Sequence, residues 1–464
     1  MGKSRNIARI RRFPRRLRAR RPQACALHAD LRRPYSSDLP PDPYYQLGVH
    51  VKSNRSVPPV WLMGLSNTTL GLVTGFSFFV VPQLLAAEQV PEAKIAAITA
   101  IAISPNFWGV MFSPMLDVRF SRRWYAAVFA AMTAALVVIS ILNLHHLLVL
   151  EITLTLGVAT AALLGGALGG WLATVARPED KNALSKWMNI ALTCGIGIAS
   201  VLGGELVRHL PILLAAAVLG ALVLLPAAIF IVIPAPGPDR RLAAESFGQF
   251  NRDVLALLRR REVVIALLLF LSPCSSFALA NLLGGLGADF HASARAVSLA
   301  GGTGAIFPGI LGCLLFTIIA RRLPLRLFYF GNGIVGSLFA LSLIVLPHVP
   351  WTFTLAILGE YFFQAVAFAI QIGIVFEVIG ESNPLAATTF AFLTAATNVP
   401  VTYMMLVDGR AYSSARVAGA FATDALIGIV TCLLAGILLA RFDSRASRSG
   451  VQSAQLIDAI QEDI

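Results

Sequence analysis

The sequence predicts an all-α polytopic membrane protein, with twelve transmembrane helices in two six-helix pseudo-repeats. Three observations predict it. Of 464 residues, 57% are hydrophobic and 13% are Asp, Glu, Lys or Arg, whereas soluble domains carry about 25% charge. Long stretches hold no charge at all. Short motifs recur at an offset near 200 residues. This composition excludes a soluble enzyme, a disordered chain and a disulfide scaffold.

The charge-free runs place the spans. They measure 32 residues after Arg55, 22 after Lys94, 27 after Arg123, 25 after Glu151, 18 after Lys186 and 30 after Arg208. In the second half they measure 26 after Glu262, 25 after Arg295 and 33 after Arg326. A bilayer core needs about 20 apolar residues per helix. Helices are therefore expected near 57–82, 93–116, 124–143, 147–174, 186–208, 211–233, 263–286, 296–320, 326–347, 351–378, 385–407 and 416–440. The domains that follow are a basic tail (1–56), a six-helix bundle (57–234), a linker (235–262), a second bundle (263–440) and a short tail (441–464).

With the N-terminus inside, 32 of the 37 Lys and Arg residues fall on inner segments. Outside lie only Lys94, Arg208, Arg295, Arg410 and Arg416. The positive-inside rule then puts both termini in the cytoplasm of an inner, or plasma, membrane protein. Residues 1–57 hold 14 basic and 3 acidic residues, so most of the net charge of +13 sits in the tail. That tail reads as a disordered extension that reinforces orientation, as an anionic-lipid or nucleic-acid patch, or as a transit peptide. No nucleic-acid partner is expected. The five cysteines are scattered singly, and no CxxC or His-rich pair implies a metal or cofactor. His145-His146 reads as an interface pair.

The repeat supports the six-plus-six division. Ala102-Ile-Ser-Pro105 with Gly109 matches Ala305-Ile-Phe-Pro308 with Gly312, at an offset of 203. Asn182-Ala-Leu184 matches Asn383-Pro-Leu385 at 201. An even helix count per copy relates the copies by an axis along the membrane normal.

Ser113-Pro-Met-Leu-Asp117-Val-Arg119-Phe-Ser-Arg122-Arg123 follows the second span. It resembles the loop motif of the major facilitator superfamily. More closely, it is similar to the form found in AmpG-type muropeptide permeases and acetyl-CoA transporters. Pro178-Glu-Asp-Lys181, Glu360 before a Phe- and Ala-rich stretch, and Ala387-Thr-Thr-Phe390-Ala-Phe-Leu393 agree with that group. Ser113 stands where the motif has glycine, and the second-half loop lacks the aspartate. The resemblance implies the major facilitator fold, a monomer, and a muropeptide-like small-molecule substrate. It also implies that Asp117, with Arg119, Arg122 and Arg123, closes the cytoplasmic side.

Charges inside the spans are the candidate machinery, since an ionisable group there is costly and functional by default. Glu360 lies near the midplane of the tenth span, with Gln364 one turn below and Gln371 two turns further on the same face. A carboxyl withdrawn from water can exchange protons near neutrality, so Glu360 is expected to couple protons or bind substrate. The alternative is a structural hydrogen bond. Asp424 in the twelfth span has the same two readings. Glu377, at the inner end of the tenth, reads as a gate or interface charge. Glu151 and Glu205 read as solvated helix ends. Asn67, Thr68, Asn106, Asn189, Asn281 and Asn398 either line a polar cavity or tie helices together. Prolines 105, 114, 226, 273, 308 and 400 predict kinks.

No Walker loop occurs, so ATP drive is not expected. The function expected is secondary transport by alternating access, most simply proton-coupled uptake of a muropeptide. An acetyl-CoA-type solute and a siderophore are the rivals. A non-transporting sensor would need an output domain larger than the 23 residues after Arg441. An enzyme would need a paired catalytic set in the bundle.

Overall fold

The computed structural model describes residues 58–118, 120–235, 247–301, 303–380 and 383–462. The basic tail lies outside them. Among the described residues nine runs are long and apolar enough to cross a membrane. Five of them, each in one piece, are α3 (Arg122–Leu142), α4 (Leu147–Val175), α5 (Lys181–His209), α9 (Leu325–Ile344) and α10 (Pro350–Ile379), and a sixth, α6 (Ile212–Ile231), passes from α-helix to a 3-10 stretch at Leu225. The first run, α1 (Val60–Ala87), turns at Ser66–Asn67 and loosens to a π stretch at Phe76–Val80. The ninth, Ala386 to Leu439, is two helices. Ala415 and Arg416 leave helical geometry, with Arg416 at φ +56°. This makes α11 386–414 and starts α12 at 417.

Three spans are assembled from pieces. α2 runs as Glu92–Ile103, Pro105–Trp108 and a 3-10 stretch, Gly109–Asp117. α7 runs as Arg261–Leu271, Leu279–Leu282 and the 3-10 turn Leu283–Phe290. α8 combines Ala294–Gly301, Thr303–Ala305 and Ile306–Ile319. The repeated A-I-x-P motif thus falls at a break in both spans, between two α-helical pieces at Ser104 in α2 and where a 3-10 turn passes into α-helix at Ile306 in α8. Backbone groups in hydrocarbon must be satisfied internally, so each break needs side-chain partners.

Several spans start or end differently from expectation: α1 reaches 87 rather than 82, and α11 runs to 414 rather than 407. α5 begins at Lys181 rather than 186. The last helix continues through the expected tail to Glu462. A separate helix, Phe247–Leu258, occupies the linker.

The buried apolar residues show how the halves meet. One cluster joins both halves, from Met63, Leu116 and Trp171 to Phe270, Phe376 and Phe390. A second draws only on α1–α6, around Leu72, Val137 and Leu154. A third draws only on the second half, around Leu279, Phe353 and Phe421. The shared cluster lies toward the side that carries most of the arginine-rich turns, called the basic face below. On the opposite side each half keeps its own core.

Candidate functional site

Helix α10 runs unbroken for 30 residues, about 45 Å at the usual rise. Ten residues in, Glu360 is 1% exposed. Asp424, on α12, is 8% exposed. The structure adds Asp408 on α11, fully buried, which sequence reasoning missed because the eleventh span was ended at 407. The carboxyls of Asp408 and Asp424 face each other, and Glu360 lies within electrostatic range of both. Glu360 Oε2, both Asp408 oxygens and Asp424 Oδ1 have no hydrogen-bond partner among the described residues. Leaving a buried polar atom unpaired costs about 1–3 kcal/mol, more for a charge. Four such atoms in one place make the region unusual. No group of His, Cys, Asp and Glu among the described residues has a geometry that would hold a metal ion.

Just toward the basic face lies the break in α7. Ser275 (φ +53°) and Phe277 (φ +47°) adopt left-handed backbone without being glycine. Other helices hold the break. Gln364 Nε2 donates to the Phe277 carbonyl at 3.4 Å, and Tyr403 Oη donates to the Leu271 carbonyl at 2.9 Å. Ser275 Oγ donates to the Tyr329 carbonyl at 2.8 Å, and Gln371 Nε2 donates to Tyr329 Oη at 3.0 Å. The expected face of α10 is therefore a graded column. Glu360 is unpaired, Gln364 braces α7, and Gln371 braces α9.

The basic face is closed by direct bonds between halves. Arg122 Nε donates to Asp117 Oδ1 at 2.8 Å, with both side chains buried. The Asp117 oxygens also accept from the amides of Ala387 (3.2 Å) and Thr388 (2.7 Å) and from Thr388 Oγ1 (2.7 Å). A carboxylate thus sits on the first turn of α11, where the helix dipole favours negative charge. Arg122 Nη2 donates onward to the Pro384 carbonyl at 2.8 Å. Opposite this, Lys181 Nζ, from the start of α5, donates to the Phe376 carbonyl at 3.0 Å, near the C-terminus of α10. Ser185 Oγ donates to the Ala369 carbonyl. Gly170 of α4 packs so tightly on α11 that an added Cβ would overlap the Ala387 backbone. Glu377 is exposed, with Arg326 and Lys181 nearby. Arg123 Nη2 donates to the Ile231 carbonyl at 3.5 Å. Arg119 lies outside the described residues.

Solved structures of the same shape are numerous. FucP in the outward conformation superposes at TM-score 0.63 with 14% identity, over 82% of this chain and 98% of that one. The chain has the major facilitator fold. A bacterial homologue of the iron transporter ferroportin, in an outward-facing state, gives 0.59 at 17% identity, over 83% and 98%. The proton:xylose symporter XylE bound to 6-bromo-6-deoxy-D-glucose gives 0.59 at 14%, over 81% and 93%. Neither a protein-family model nor a curated protein matches the sequence.

Within this major facilitator fold the six predicted cavity residues do not form one hydrogen-bonded group. Asn67, buried at the turn in α1, donates to the Met188 carbonyl of α5 at 3.1 Å. Thr68, Asn189 and Asn398 bond carbonyls of their own segments, those of Leu65, Ser185 and Thr394. Asn106 is half-buried in α2, and Asn281 is exposed on α7. Away from the basic face, Asp289 binds Arg416 Nη2 at 2.8 Å and accepts from Tyr412 Oη at 2.7 Å. Glu205 pairs with His209 at an exposed helix end, as expected for a solvated terminus.

Proposed function

We propose that this chain is a secondary active transporter that works by alternating access and takes up a muropeptide-like solute together with protons across the inner membrane. The observation that carries the proposal is the trio Glu360, Asp408 and Asp424. Four buried, unpartnered carboxyl oxygens lie together, within about 9–15 Å of the ends of their helices away from the basic face by the helical rise. A proton taken up there neutralises a charge that is otherwise expensive to bury. Proton coupling needs a group whose charge changes during the cycle, and this trio is the candidate for it.

Two further features support the reading. The break in α7 beside the trio matches the general rule that transporters bind cargo at discontinuous helices near the midplane. The halves share their main core and a lock toward the basic face, and a small cluster of Ile190, Cys313 and Ala365 also joins them, whereas the remaining clusters each belong to one half, which is the arrangement of a state open to the other side. That state would load solute from outside if the basic face is cytoplasmic. For the substrate, the support is the Asp117 and Ala387–Leu393 motifs, which resemble those of muropeptide permeases. Two of the similar structures are proton symporters of the sugars fucose and xylose, and a muropeptide carries sugar.

The test is uptake of labelled anhydro-muropeptide into right-side-out and inverted vesicles, with and without a proton gradient, for wild type and Glu360→Gln. Gradient-driven uptake that the variant loses is the expected result. Uptake that survives the substitution removes Glu360 from coupling. Absence of uptake rejects the muropeptide and directs the assay to acetyl-CoA and siderophores.

A further inference from the structure

We propose that the α5–α8 seam at the basic face is a binding site for the phosphate headgroup of an anionic lipid, and that the lipid clamps the two halves together there. A cavity of about 370 Å³ opens at this seam, lined by Lys186, Leu314, Thr317, Ile318, Arg321 and Arg322. Three of these are cations and none is an acid. Lys186 comes from α5 in the first half and Arg321 and Arg322 follow α8 in the second. Lys186 and Arg321 are close enough to repel each other. No ion pair among the described residues offsets that repulsion. Like charges gathered across a seam with no counter-charge are matched by an anion.

The walls identify the anion's source. Leu314 is 44% exposed and Ile318 61% exposed, on the flank of a span where the surroundings are hydrocarbon. Arg321 and Arg322 stand within one turn of Ile319, the last residue of α8. Apolar surface runs directly into cationic surface, as acyl chain runs into headgroup. A soluble anion would match the cations and leave the apolar wall unexplained. Basic pockets between spanning helices on the cytoplasmic side bind acidic lipid headgroups by this chemistry.

The position gives the lipid a mechanical role. Deeper in the same seam, Thr193 of α5 packs against Gly309 of α8, and Gly197 packs against Ile306. These contacts must part when the basic face opens. One phosphate bridging Lys186 to Arg321 and Arg322 opposes that parting.

The experiment uses the full chain in nanodiscs of phosphatidylcholine with increasing phosphatidylglycerol. Native mass spectrometry reads retained lipid. Spin labels at the basic-face ends of α5 and α8 read their separation. Wild type is expected to retain phosphatidylglycerol in preference to phosphatidylcholine and to shift to the shorter distance as its fraction rises. Lys186→Gln should weaken retention about fivefold and the double variant Arg321→Gln/Arg322→Gln about 25-fold, since each basic residue contributes on the order of a fivefold preference. Lys186→Arg should retain the lipid, which separates lost charge from misfolding. Equal retention of both lipids, or retention unchanged in the Gln variants, overturns the proposal. Displacement of phosphatidylglycerol by millimolar inorganic phosphate overturns it in favour of a soluble anion.

Discussion

Both oxygens of Asp117 are occupied, by Arg122 and by the first turn of α11. Removing one member of a buried pair leaves the other charge uncompensated, at about 3–5 kcal/mol. Asp117→Asn should therefore lower the melting temperature in detergent and raise maleimide labelling of a cysteine placed at position 383. Unchanged labelling would mean that the bonds accompany closure without holding it. Asp408→Asn has a different expected outcome. It replaces one of two facing carboxyls with a neutral amide of similar shape, so like-charge repulsion is relieved and the protein should melt at the same or a higher temperature. Gradient-driven transport should fall at least tenfold. A variant that melts earlier and transports normally would make Asp408 a structural residue. Glu360 and Asp424 were legible in the sequence because each interrupts an apolar run. Asp408 was not, since a charge near the end of a run looks like the beginning of a loop. Only the packing of α11 against α10 and α12 reveals that it is buried.

Breaks carry the information at the scale of the helix. The twelve spans were legible because hydrocarbon excludes charge, so charge spacing reports span length. The interruptions of α2 and α7 were legible only as prolines. A helix can unwind in a membrane only where other helices satisfy its backbone, and for α7 those partners, Gln364 and Tyr403, lie far away in sequence. Gln364→Leu removes one of two donors to the Phe277 carbonyl, the Ala280 amide being the other at 3.3 Å, at about 0.5–1.5 kcal/mol for one lost hydrogen bond. Faster hydrogen exchange over 272–282, with little change elsewhere in the bundle, is the expected result. Protection that stays the same would show that the left-handed turns at Ser275 and Phe277 hold the break unaided. The α4–α11 contact is equally specific. Gly170→Val forces a side chain into the Ala387 backbone, and overpacking of this kind costs about 1–3 kcal/mol. The spin-label distance across the basic face should lengthen. An unchanged distance would mean that α4 and α11 shift together.

For the whole molecule, charge placement and repeat spacing led to the right fold class, because both follow from insertion into a bilayer rather than from packing detail. The seam between halves was less legible. The Asp117 motif announced a lock, but its acceptor partner on α11 and the second attachment through Lys181 depend on how the halves meet. Orientation remains a direct test of the charge argument. Reporter fusions after Glu462 and at the α3–α4 turn should be active on opposite sides of the membrane, with the C-terminal one cytoplasmic. The reverse pattern would turn the basic face outward and make the closed state an inward-open one.

The lock on the basic face also has a thermal signature. Arg122, Asp117, Thr388, Lys181 and Ser185 hold several hydrogen bonds in a region with little water to replace them, and each bond to a charged group contributes about 1.5–3 kcal/mol. In the proposed cycle they break together before the solute leaves on that side. If this opening limits the cycle, turnover will have a steep Arrhenius slope. Cooling would trap the molecule loaded from the far side, and weakening the lock would flatten the slope before it altered affinity for the solute.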